Sequence, residues 1–200
     1  MLDKYGVGQD SYCYPGTVVL RNRLGILDED QLNQAEQTLS SIAADKIDFQ
    51  PPPYDFDYLK TIHRYLFCDL YEWAGEIRTV DISKQSTRFC TLHRIAPEAE
   101  KLFLSLARDH WLEGLKRSEL VLSVASYFGD LNMIHPFREG NGRAQRVLFE
   151  HIIVNAGYEI DWWQVGHTEW IQANIDSVSC DYRAMSALFD KCIGGLIEDL

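Results

Sequence analysis

The sequence predicts an all-α helical bundle that carries one short β-hairpin. Apolar side chains recur at steps of three and four over most of the chain, most clearly in Leu59, Ile62, Leu66, Leu70 and Trp73. One stretch breaks that period: from Ile77 to Phe89 the strand-favouring Thr79, Val80, Ile82, Thr87 and Phe89 flank a polar SKQS turn. The 200 residues are 46% hydrophobic and 12% aromatic, which suits one packed core and excludes global disorder.

The elements follow in order. Residues 1–16, rich in Tyr and Gly and closed by Pro15 and Gly16, read as an ordered arm. Asp28 with Gln31 three residues later resembles a capping box, and Leu32, Ala35, Leu39 and Ile42 continue at helical spacing. Pro51, Pro52 and Pro53 form a stiff connector before the helix of Leu59 to Trp73, which Gly75 terminates. After the hairpin of residues 77–90, Pro97 suits a helix first turn, with Leu102, Phe103, Leu106 and His110 following. A helix from about Ser118 turns Leu120, Val124, Phe128 and Leu131 inward until Pro136 stops it. Another starts near Gly142, buries Leu148 and Ile152 and ends at Gly157; two more cover roughly 167–176 and 181–197. No repeat and no internal boundary divides the chain, so residues 1–200 read as a single domain.

Charge and composition narrow the function classes. With 19 Lys and Arg against 30 Asp and Glu the formal net charge is −11, which argues against a direct nucleic-acid role because phosphates need excess cations along a face. Any anion site is then a local exception. The five cysteines are odd in number, scattered and never CxxC, as expected for thiols of a reducing cytoplasm. Neither a secretory leader nor a run long enough to span a membrane is evident, so a soluble cytoplasmic protein is expected.

The exception lies in His135 to Arg146, HPFREGNGRAQR, set between two apolar-periodic helices. Gly140 and Gly142 let backbone N–H groups converge on an anion with no Cβ in the way, and the next helix presents its positive end to the same anion. Arg143 and Arg146, three apart, offer two guanidinium forks suited to a polyphosphate, or else to Asp and Glu partners in an acidic protein. Glu139 suits Mg²⁺, which favours one or two carboxylates plus phosphate oxygens. His135 at the loop mouth can accept a proton from a hydroxyl near neutral pH. Rival nucleotide and metal readings fail: GNGRAQ lacks the third Gly of GxGxxG and follows a helix, no GxxxxGK[ST] occurs, and the six His show no HExxH spacing.

HPFREGNGRAQR matches the whole signature HxFx(D/E)GNGRxxR and resembles the Fic family of protein adenylyltransferases over roughly residues 10–195. The short arm and compact length are similar to the Fic toxins of bacterial toxin–antitoxin pairs. The resemblance implies the Fic helical fold with the hairpin as a flap, and transfer of AMP from ATP, with Mg²⁺, to a Tyr, Ser or Thr hydroxyl of a target protein. It makes His135 the general base, Phe137 the core anchor of the loop and Glu139 the Mg²⁺ ligand. Gly140, Asn141 and Gly142 become the anion nest, Asn141 also stabilising charge at the α-phosphate, with Arg143 on the β-phosphate and Arg146 on the γ-phosphate.

Ile82, Ser83 and Lys84 are the candidate flap that docks an extended target segment and forms one wall of the nucleotide pocket; an ordinary surface hairpin is the alternative. Asn174, in WIQAN, resembles a family position near the adenosine and reads equally as a helix-surface amide, whereas Trp162, Trp163 and Trp170 read as core or rim packing. The two Glu followed by Gly or Asn, Glu113 and Glu139, have Asp109 and His135 four positions earlier, so the family's inhibitory (S/T)xxxE(G/N) is absent. The resemblance then implies an inhibitory helix supplied in trans by a small antitoxin. The ATPase subunits of DNA gyrase and topoisomerase IV are the targets it suggests. Two alternatives stay open: a Doc-like phosphotransferase, whose signature has Lys at the position of Gly142, and a nucleotide-binding interaction module without turnover.

Overall fold

The computed structural model describes residues 10–84 and 87–197. The beginning of the expected arm, residues 1–9, and Gln85 and Ser86 of the SKQS turn lie outside the described residues. Seven α-helices and two small antiparallel strand pairs are present among them: α1 Glu29–Ala44, α2 Phe56–Phe67, β1 Ser83–Lys84, β2 Thr87–Arg88, α3 Leu92–Arg108, α4 Arg117–Ile134, α5 Asn141–Asn155, β3 Tyr158–Ile160, α6 His167–Ser177, α7 Arg183–Cys192 and β4 Ile193–Leu196. The all-α class with a small hairpin is as expected. Helix α4 runs through the centre and packs on α3, α5, α6 and α7. That placement requires apolar residues around most of its circumference, and Leu120, Val121, Val124, Ala125, Phe128, Leu131 and Ile134 are all buried.

Helix α1 starts at its expected cap, where Asp28 accepts the Gln31 N–H at 2.9 Å. Its inward face differs from the expected one. Ile42 is exposed, while Glu36 and Ser40 are buried beside Leu32, because these polar groups serve a partner on α5 described below. Helix α2 stops at Phe67, earlier than Trp73. The N–H groups of both Leu70 and Tyr71 turn back onto the Phe67 carbonyl, and Tyr71 stacks on Trp73 at 4.3 Å, so the apolar spacing continues into a turn that packs without being helical.

Helix α3 begins at Leu92, placing Pro97 inside the helix instead of in its first turn. Its start is set from a distance: Asp81 Oδ1 accepts the Leu92 N–H at 3.0 Å, whereas Thr91, the local cap position, makes no such bond. His110 does not extend α3, since His110, Trp111 and Leu112 all have positive φ and close a turn. The hairpin is also shorter than expected: only Ser83–Lys84 and Thr87–Arg88 pair, in the register Ser83 to Arg88 and Lys84 to Thr87, while Thr79 and Val80 lie outside the strands. The last helix ends at Cys192. Ile193–Leu196 continues instead as β4 beside β3, a pairing that the continuous 181–197 helix did not anticipate.

Candidate active site

The loop between α4 and α5 presents His135 as the last residue of the α4 turn, in a left-handed conformation with φ 47° and ψ 62°. Arg78 holds it there. This buried guanidinium donates through Nε to the His135 carbonyl at 2.9 Å, through Nη1 to the Val80 carbonyl at 2.7 Å and through Nη2 to the Cys90 carbonyl. One cation thus ties the flap to the end of α4, satisfying three carbonyls that would otherwise be left without donors.

The imidazole is held as firmly. His135 Nδ1 lies 3.0 Å from the Asn132 carbonyl, which can only accept, so Nδ1 carries the hydrogen and neutral His135 keeps its lone pair on Nε2. Phe89, arriving from the flap, stacks on the ring with centroids 3.9 Å apart and planes at 18°. Burial lowers the imidazole pKa to about 4, so the residue is neutral at pH 7 and its Nε2 lone pair is unprotonated.

The following residues form a clamped turn. Phe137 is fully buried and stacks on His63 at 3.8 Å. Asn141 Oδ1 accepts the Phe137 N–H at 2.9 Å and its Nδ2 donates to the Phe137 carbonyl at 2.8 Å, closing the loop onto the start of α5. The side-chain amide of Asn141 is therefore a loop clamp, and what this residue offers to an anion is its backbone position in the first turn of α5. His63 accepts the Gly75 N–H on Nδ1 at 2.9 Å, so its Nε2–H donates to the Glu139 carbonyl at 2.9 Å. Its tautomer is the opposite of that of His135. Arg138 reaches Asp10 through Nε at 2.8 Å and Nη2 at 2.6 Å, tying the arm to the loop.

Gly140 and Gly142 have different reasons to be glycine. Gly140 sits at φ +79° and an added Cβ would lie 2.4 Å from the Phe67 ring; at Gly142 nothing lies within 4 Å of the Cβ position. Gly142 faces a cleft of about 220 Å³, which brings together His135, Glu139, Asn141 and Gly142 from the loop and α5, Lys84, Thr87 and Phe89 from the flap, Phe128 and Asn132 from α4, and Trp170, Ile171, Asn174 and Ile175 from α6. Asn174 is thus on the cleft wall, its Nδ2 bonded to the Trp170 carbonyl at 2.8 Å.

Four placements differ from the sequence expectation. Ile82 is 2% exposed and packs inward, so of the three flap candidates only Ser83 and Lys84 form the strand, and Lys84 alone of the three reaches the cleft. Arg143 turns away toward α1, where it pairs with Glu36 and donates to Ser40 Oγ at 2.9 Å. Arg146 lies over the Trp170 ring at 4.4 Å and the Trp162 ring at 5.8 Å. The two forks diverge, because residues three apart on a helix project about 60° from one another and each meets a different neighbour. Among the described residues Arg143 has the Glu36 carboxylate and Arg146 has no carboxylate partner, so of these two charges that of Arg146 is the uncompensated one. Trp170 and Trp162 are partly buried rim packing, as expected, but Trp163 is 96% exposed and packs on neither.

The sequence model of the Fic/DOC family matches residues 53–153. The chain belongs to the Fic/DOC family. It is 37% identical over 193 residues to "Probable protein adenylyltransferase Fic" of Escherichia coli K12, covering 96% of each chain. It is 38% identical over 190 residues to "Protein adenylyltransferase VbhT" of Bartonella schoenbuchensis, covering 94% of this chain and 40% of that one. Among solved structures it is similar to BepC of Bartonella tribocorum with bound AMPPNP, with a TM-score of 0.85, 28% identity and coverage of 94% of this chain and 97% of that one.

Within this Fic fold several residues that shape the site carry no motif of their own. Phe89 and Arg78 orient His135, His63 supports Phe137 and Glu139, and Glu36 receives Arg143. A polar residue on the inward face of a predicted helix, as Glu36 is beside Leu32, is the one sequence signal that could have flagged any of them. Glu139 fits Mg²⁺ in donor chemistry, a hard carboxylate standing on the cleft wall beside the open Gly142.

Proposed function

We propose that this protein is an adenylyltransferase that moves AMP from ATP to a hydroxyl side chain of another protein. The observation that carries the reading is the cleft itself: a neutral imidazole whose free Nε2 lone pair is defined, on the same wall as an open glycine at the start of a long helix. The names of the relatives and the AMPPNP-bound neighbour support it.

The target hydroxyl loses its proton to His135 Nε2 as its oxygen forms a bond to the α-phosphorus. The bond from that phosphorus to the oxygen bridging it to the β-phosphate breaks, and pyrophosphate leaves. Backbone N–H groups of Asn141 and Gly142 cradle the phosphates at the positive end of α5, the Gly140 N–H being donated to Glu139 Oε1 at 3.1 Å, and Arg146 supplies the cation for the distal phosphate. Glu139 would hold Mg²⁺, which supplies charge neutralisation on the phosphate oxygens. Asn174 and the α6 apolar residues suit the adenosine side of the cleft, while Ser83 and Lys84 offer a short strand edge to an extended target segment.

The resemblance of HPFREGNGRAQR to the Fic signature supports a toxin of a toxin–antitoxin pair, acting in the cytoplasm and restrained by a small antitoxin whose helix reaches Arg146; type II topoisomerase ATPase subunits are the leading targets. Gly142 favours AMP transfer over the Doc-like phosphotransferase. Incubation of candidate targets with ATP followed by mass spectrometry separates these readings. Added AMP supports the proposal, added phosphate indicates the phosphotransferase, and bound ATP with no product on any target indicates the idle module.

A further inference from the structure

Helix α1 carries a buried carboxylate on a face that should be apolar. Glu36 is 7% exposed, and both its oxygens are engaged: Oε1 with Arg143 Nη2 and Oε2 with the Tyr71 hydroxyl. Arg143 Nη1 donates to Ser40 Oγ at 2.9 Å and lies 3.4 Å from the Glu36 carbonyl, and the guanidinium sits 4.7 Å above the Phe67 ring. The same Phe67 ring fills the space beneath Gly140. Four elements therefore meet at one ion pair: α1, α2, the Tyr71 turn and the first turn of α5. Breaking such a pair by removing one partner is costly because the other charge remains with nothing to compensate it. A network this fully satisfied is poorly suited to opening in every catalytic cycle.

We propose that Glu36 is a positioning residue for nucleotide binding: it pins Arg143, and through Arg143 and Phe67 it holds the Gly140–Gly142 turn in the geometry that receives the phosphates. Arg143 then acts as the tether of α5 and leaves Arg146 as the phosphate-facing cation. The inference rests on the adenylyltransferase reading, in that ATP is taken as the ligand of this turn.

The test compares ATP with adenosine, which lacks the phosphates, in titrations of the full chain followed by tryptophan fluorescence, since Trp170 lines the cleft. Glu36→Ala should weaken ATP roughly tenfold, the size of one lost coupling among contacting groups. Adenosine affinity should stay unchanged. The nearly isosteric Glu36→Gln, which retains one acceptor oxygen, should lose less, and it keeps the test decisive if Glu36→Ala does not fold. Glu36→Ala combined with Arg143→Ala should cost no more than either alone. Parallel losses for ATP and adenosine would make Glu36 a general stability residue and overturn the proposal. Tighter ATP binding would overturn it too, showing that Glu36 competes with the phosphates for Arg143. If the parent chain binds no ATP, the adenylyltransferase reading fails together with this one; if it binds and transfers AMP while both Glu36 variants match it, only this inference fails.

Discussion

Substituting the two motif glycines one at a time should separate folding from binding. At Gly140 a methyl group meets two obstacles. The backbone sits at φ +79°, where a Cβ costs about 1–2 kcal/mol, and the Cβ position is 2.4 Å from Phe67 Cε2 and Cζ. Phe67 is 1% exposed and lies between His63 at 4.7 Å and Tyr71 at 6.4 Å, so the ring cannot step aside, and overpacking of this kind adds about 1–3 kcal/mol. Gly140→Ala should therefore destabilise by about 2–5 kcal/mol, a fall in Tm of roughly 4–20 °C for a chain of this size. Gly142→Ala has the opposite profile. It lies within helix α5, nothing is within 4 Å of its Cβ, and Ala is favoured over Gly in a helix by about 1 kcal/mol, so stability should hold or rise. The new methyl occupies the space where a phosphate must approach the backbone, and ATP affinity should drop. Thermal melts and ATP titrations on both variants are sufficient. A Gly140→Ala protein as stable as the parent would refute the packing argument, and unchanged ATP binding by Gly142→Ala would remove Gly142 from the anion nest.

His135→Ala should abolish AMP transfer while ATP still binds, because the base acts on the acceptor and the nest is left whole; retained activity, read by mass spectrometry, would remove His135 from the mechanism. Arg146→Ala should raise the Kd for ATP, and an unchanged titration would assign Arg146 to the packing of Trp162 and Trp170. His63 is fully buried with its pKa lowered to about 4 from 6.5, so below pH 6.5 the unfolded chain takes up the proton before the folded one does. Stability should be complete above pH 6.5 and fall by up to about 3 kcal/mol toward pH 4, and His63→Asn should flatten that part of a urea-denaturation series across pH. Expression of the chain alone should slow growth in a manner that requires His135, and equal growth with His135→Ala at matched protein levels, with no AMP on cellular proteins, would sink the toxin reading.

Local pattern carried the interior of the long helices well. Leu120, Val124, Phe128 and Leu131 are buried on α4 and Leu148 and Ile152 on α5, because a 3.6-residue repeat has one physical solution when its apolar face must leave water. Boundaries were less legible. The start of α3 is capped by Asp81, eleven residues earlier, and the end of α2 is set by a turn whose apolar spacing imitates another helical turn. The C-terminal strand Ile193–Leu196 gains its partner only when β3 is brought beside it, so no local signal marks it.

The site divides in the same way. The sequence by itself determined which groups the loop brings together, since His135, Glu139 and the glycines lie within eight consecutive residues and a short turn followed by a helix places such neighbours side by side without help from the rest of the fold. Tertiary structure alone decided the direction of each long side chain. Arg143 could equally have met a phosphate or a carboxylate, and it met Glu36 because α1 packs on α2 at that level, 107 residues away in the chain. Arg146 went to Trp170, and His135 received its ring partner Phe89 from the flap. Flexible side chains settle on whatever charge or aromatic face the packing supplies, and which face that is depends on contacts between elements that are distant in sequence.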